Sequence, residues 1–207
     1  MNAPFAMKPI ASPPWPAIPF AASLAGIGGA LLIELASIPV APGQWQLFGV
    51  RLLQLALFVV LIRRYRLFAP LGLGWPDRAG LRVFGFVAMA ALLVGGGAVA
   101  LLPEVRPLLG LPPFAHGLPG LLLMLLIGPL VEEFLFRGWL HALLRQSFGF
   151  IPSLIASSLA FSLAHGYFAL PQLIGGLLFG FVYEKSRNLW LAVALHVGAN
   201  AAVWLLG

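Results

Sequence analysis

Residues 118–144 read LPGLLLMLLIGPLVEEFLFRGWLHALL, and the reading of this run decides the fold. It is long enough to cross a bilayer as one helix, yet the adjacent carboxylates Glu132 and Glu133 lie near its middle, with Arg137 one turn on. Charges inside a membrane are expensive, so such residues persist there only with a partner or a function. Two neighbouring carboxylates in a low dielectric also repel each other. At about 100° per residue, Glu133 and Arg137 share a helix face, whereas Glu132 points roughly 100° away. The expectation is that Arg137 holds Glu133 while Glu132 is free to face a water, a substrate or another helix. Gly128 and Pro129, one turn earlier, remove a side chain and a backbone donor, which favours a kink or a close helix approach.

The rest of the chain suits that helix. Of 207 residues 61% are hydrophobic and 9% charged, with a mean hydropathy of +1.00, too little polar surface to cover a soluble globule. The expected fold is an all-α integral membrane protein of about seven transmembrane helices, near 17–40, 45–62, 81–102, 118–144, 150–170, 171–184 and 188–206. Residues 1–16, rich in proline, read as an irregular tail, and 17–207 as one membrane domain. The first span reads as a retained anchor: its apolar stretch is long and only Lys8 precedes it as a charge. Glu34 in that span and Arg51 in the second fall at similar depth in a tight hairpin and are expected to pair. The loop near 103–117, with Pro103, Pro107, Pro112 and Pro113, reads as an irregular connector.

The net charge of +6 is a topology signal. Arg63, Arg64, Arg66, Arg78 and Arg82 lie between spans two and three, Arg145 after span four, and Lys185 and Arg187 after span six. Seven alternating spans put these loops on one side, which the positive-inside rule makes cytoplasmic, with the N-terminus inside and the C-terminus outside. No nucleic-acid partner is implied. The absence of cysteine excludes disulfides, thiolate metal sites and a cysteine nucleophile. Gly95, Gly96, Gly97, Gly175, Gly176 and Gly180 suggest close helix packing, with Gly176 and Gly180 spaced as a small-xxx-small pair. Glu184, beside Lys185 at a helix end, reads as a solvated interface residue.

Two histidines, His165 and His196, fall inside expected spans, each in a four-residue spacing that places two side chains on one face: Phe161 with His165, and His196 with Asn200. Measured from the basic ends of their helices, Glu132, His165, His196 and Asn200 lie roughly 18, 22, 12 and 18 Å deep, which allows one shared site. Taken singly, a membrane histidine or asparagine is as readily helix-packing glue, and a Glu–Arg pair a neutral bridge. Together they point to a functional site.

Three motifs carry these residues: Glu132-Glu133-Phe134-Leu135-Phe136-Arg137-Gly138, Phe161-Ser162-Leu163-Ala164-His165 and His196-Val197-Gly198-Ala199-Asn200. In type and order they resemble the CAAX prenyl endopeptidase and bacterial Abi (CPBP) family of intramembrane proteases, over about residues 118–204. The resemblance implies an active site among the C-terminal four helices. It further implies Glu132 as the base that activates water, His165 as the residue that helps to hold that water, and His196 and Asn200 as oxyanion donors. Glu133, Arg137 and Phe161 would be supporting residues.

The implied activity is hydrolysis of a peptide bond in a membrane-associated or lipid-modified protein, in a bacterial inner membrane. A serine mechanism through Ser158 or Ser162 lacks an evident base from spacing. A zinc site of the His₂Glu type from Glu132, His165 and His196 is the mechanistic rival, although no HExxH helix is present and the glutamate mechanism needs no cofactor. Two other functions compete: a non-proteolytic immunity or resistance factor of the same family, and a proton-coupled transporter, for which paired broken helices are missing.

Overall fold

The computed structural model describes residues 15–38, 43–102, 104, 117–165 and 169–206. Nearly all of the expected tail, and most of the proline-rich loop with His116, lie outside them. Seven long helical stretches run through the described residues: α1 (Phe20–Ser37), α2 (Gln44–Tyr65), α3 (Arg78–Leu101), α4 (Gly117–Ser147), α5 (Phe150–Leu163), α6 (Leu170–Ser186) and α7 (Leu189–Leu206). There is no strand among the described residues. Helices α1 to α4 are long and apolar enough to cross a membrane, and α5 and α7 are shorter apolar helices. The chain is an all-α membrane protein.

Two boundaries differ from the hydropathy reading. The fifth span was expected to run to about residue 170, but α5 ends at Leu163, which leaves His165 in the turn beyond it. Its 14 residues fall short of the ~20 that a full crossing takes. Ser162 makes this early stop: its hydroxyl donates to Ala169 O at 2.8 Å and accepts from Ala169 N–H at 3.0 Å, closing the α5–α6 connection. Helix α6 is longer than its expected span, with 17 residues, and stops where Arg187 adopts a left-handed conformation at φ 52°.

Side-chain size sets how the helices approach. Gly26 of α1 faces the indole of Trp139, where a Cβ would sit 2.7 Å from the ring, so α1 lies directly on α4. Trp139 is fully buried and lies near Phe58 of α2. Gly176 and Gly180 do serve close packing: positions for their Cβ atoms meet Ser158 and Leu154 of α5 at 3.1 and 2.6 Å. Gly95, Gly96 and Gly97 do not, because added Cβ atoms there would meet nothing within 4 Å. The expected Glu34–Arg51 pair is present at 2.7 Å, and Gln54 completes it by accepting from Arg51 and donating to Glu34 and Ala30 O.

The loop after α2 ties the N-terminal helices to the C-terminal ones. Leu189 N–H donates to Gly72 O at 3.1 Å, Asn188 Nδ2 to Gly74 O at 2.8 Å and Trp190 Nε1 to Leu73 O at 2.8 Å. Asn188 also accepts from Leu191 N–H through Oδ1, an N-cap for α7. Gly72 has φ 68° and lies against the Arg187 carbonyl, a place that admits no side chain.

Candidate active site

Helix α4 is not a regular α-helix where it carries the charged residues. Leu123–Ile127 and Phe134–His141 run in π register, on either side of Gly128–Glu133. Such widened turns recur at functional sites because they leave backbone groups without their usual partners. In the first, Gly128 N–H donates to Leu123 O, and a Cβ on Gly128 would lie only 2.5 Å from that oxygen. The next donor in π register would be position 129, a proline with no N–H. Met124 O is taken instead by Asn200 Nδ2 of α7, at 2.8 Å. Gly128 and Pro129 thus prepare an acceptor for a residue 76 positions away in the chain. An amide NH₂ has two donors, so Asn200 keeps a second N–H.

Glu133 is the polar centre. It is fully buried on α4, and its Oε1 accepts from Arg137 Nη1 at 2.9 Å and from His196 Nδ1 at 2.8 Å. Arg137, also fully buried, donates through Nη2 to Gly176 O and lies over the Phe161 and Phe179 rings at 4.6 and 5.4 Å. The expected Glu133–Arg137 pair is present, and Glu133 supports a second residue as well. Glu133 also holds His196, stacked on Phe179 at 4.5 Å between ring centroids. Because Nδ1 is bound to Glu133, His196 turns Nε2 towards Glu132, whose Oε2 lies 3.7 Å away. That is an ion-pair distance and too long for a direct hydrogen bond. The Glu132 side chain is 23% exposed, which leaves it the accessible carboxylate of the two.

Glu132, Glu133, Arg137, His196 and Asn200 are thus gathered by α4 and α7, with Gly176 and Phe179 of α6. His165 is not brought into direct contact with them. It is exposed, with Nδ1 at 2.9 Å from Phe161 O, and the Phe161 ring stands between, 4.8 Å from His165 and 5.7 Å from His196 by centroids. Phe161 is buried, packing beside His165 as expected. Its carbonyl is a natural acceptor for His165 Nδ1–H, which leaves Nε2 as an acceptor.

A zinc site would need Glu132, His165 and His196 to converge. Among the described residues no three side chains of His, Cys, Asp or Glu come close enough to hold an ion.

The sequence reading missed a second buried cluster and misplaced one residue in it. Glu184 is not solvated: it is buried and accepts from Arg145 Nε at 3.0 Å and Arg145 Nη2 at 3.2 Å, with His141 Nε2 at 3.1 Å. His141 Nδ1 in turn lies 3.2 Å from Ser157 Oγ. Ser157, His141 and Glu184 have the residue types of a hydrolytic triad, but Ser157 and His141 are sealed from substrate and Ser157 donates to Leu154 O. Their role is to lock α4, α5 and α6 together. Three basic residues at this end, Arg145, Lys185 and Arg187, against one acid were the available signal. Ser158 Oγ is buried without a partner among the described residues, so it has no base to activate it.

No curated protein and no solved structure matches the chain. Residues 114–202, the stretch that carries both π turns, Glu132, Glu133, His165, His196 and Asn200, match the family model described as Type II CAAX prenyl endopeptidase Rce1-like. Over that stretch, which is less than half of the chain, the sequence is similar to the type II CAAX prenyl endopeptidases.

Proposed function

We propose that the protein is an intramembrane endopeptidase that hydrolyses a peptide bond of a membrane-associated or lipid-modified protein. One observation carries this reading: His196 sits between two glutamates, bound to the buried one and facing the accessible one, with Asn200 one turn farther along the same helix.

In the proposed reaction Glu132 takes a proton from water as the water oxygen attacks the scissile carbonyl carbon. The oxyanion so formed accepts from the second N–H of Asn200 and from His196, which donates through Nε2–H only as the doubly protonated imidazolium, since its Nδ1–H is given to Glu133. Collapse of the tetrahedral intermediate breaks the C–N bond, and Glu132 returns its proton to the leaving amine. General-base help of this kind contributes about 10²–10⁴ in rate. Preorganised donors count most where water is scarce, since they need no reorganisation as charge develops. Glu133 and Arg137 set the imidazole; the role in holding the water that the resemblance implies for His165 requires its Nε2 to approach Glu132 past the Phe161 ring. The mechanism uses no metal.

The test is cleavage of a panel of prenylated and unmodified membrane peptides by the purified protein in detergent, with and without a chelator, followed by mass spectrometry. A single internal cut, insensitive to chelation, is expected. Activity abolished by chelator and restored by zinc would replace the mechanism, and failure on every peptide would favour the non-proteolytic reading.

A further inference from the structure

At the basic end of the molecule, α3 and α6 are drawn together by Gly80, whose Cβ position lies 3.2 Å from both Ser186 and Leu191 side chains. Just inside this contact a groove of about 460 Å³ opens, lined by Arg82, Val83, Phe86 and Val87 of α3 and by Phe181 and Lys185 of α6. Its wall contains two cations and no acid.

Neither cation has a carboxylate partner among the described residues. Lys185 Nζ rests over the Phe150 and Phe181 rings at 4.9 and 5.7 Å, held in place but not neutralised. The contrast with the same end of the molecule is plain, since Arg145 and Arg187 both lie within ion-pair distance of Glu184. Below the cations the groove is apolar and continues onto the outer face of α3, where Phe86, Met89, Leu92, Leu93 and Val94 are exposed. Trp75 and Phe68, exposed in the loop at this end, have the character of a bilayer-interface belt.

We infer that this groove binds an anionic phospholipid, with its phosphate between Arg82 and Lys185 and an acyl chain along Phe86 and the exposed face of α3. The chemistry requires an amphiphile: an acidic peptide would satisfy the two cations but leave the apolar wall uncovered, and a neutral lipid would do the reverse. A bound lipid would also bridge α3, the least buried of the four long helices, to α6 of the site. The inference does not depend on peptidase activity.

The test uses the full chain in neutral detergent, titrated with phosphatidylglycerol or phosphatidylcholine and followed by native mass spectrometry and thermal unfolding. Phosphatidylglycerol should be retained and raise the melting temperature, and phosphatidylcholine should do neither. The double variant Arg82→Gln/Lys185→Gln should bind phosphatidylglycerol roughly 30-fold more weakly, from about a factor of five for each basic residue at a membrane surface. Removing the same charge outside the groove, in Arg63→Gln/Arg64→Gln, should leave binding unchanged. Equal retention of the two lipids, equal loss in both double variants, or displacement of the lipid by a soluble acidic peptide would each overturn the assignment.

Discussion

Glu132 and Glu133 are adjacent and chemically identical, and their surroundings divide their work. Glu133 is sealed between Arg137 and His196, so its loss is first a loss of structure. Glu133→Gln leaves Arg137 buried without a counter-charge and is expected to cost ~3–5 kcal/mol, read as a lower melting temperature in detergent. His196→Ala and Asn200→Ala act on the other side of the site. On the proposed mechanism each is expected to lower kcat by about 10²–10³ with little change in KM, since the donors would act on charge that appears only in the transition state. What the sequence showed at this scale was whatever lay within one helical turn: Glu133 with Arg137, Phe161 with His165. The Glu133–His196 contact joins residues 63 apart, and nothing local announces it. Glu184 was misread for the same reason. Its neighbour Lys185 lies on aromatic rings, while its partners His141 and Arg145 come from another helix.

Among the elements, α4 departs most from its expected form. Gly128 and Pro129 signalled an irregularity, but not that it would be two π turns. The first of them follows from the missing side chain at 128 and positions Asn200 through Met124 O. Gly128→Ala is therefore expected to reduce peptidase activity at least ~10-fold while the helix content by circular dichroism stays near that of the wild type, because the added methyl strikes the Leu123 carbonyl and the Asn200 anchor is lost. Gly95→Ala in α3, with open space around it, should change stability by no more than about 1 kcal/mol, in the stabilising direction. Helix α5 shows the limit of hydropathy: the apolar run continues past Leu163, but Ser162 closes the turn, and a hydroxyl that caps a connection has no signature in a mean hydropathy.

For the molecule as a whole, the helical membrane fold was legible because bilayer thickness sets the length of apolar runs. The stitch between the α2–α3 loop and the α6–α7 turn was not, since it is built from backbone carbonyls of Gly72, Leu73 and Gly74 that any sequence possesses. Gly72→Ala is expected to lower the melting temperature measurably, because its left-handed conformation and the adjacent Arg187 carbonyl both oppose a side chain. The central claim, that this fold exists to present Glu132 to a water and a peptide bond, is tested most directly by comparing initial cleavage rates of wild type and Glu132→Gln in the same liposomes. The account predicts a loss of about 10²–10⁴ in rate with an unchanged melting temperature. A Glu132→Gln variant that cleaves at the wild-type rate would contradict it.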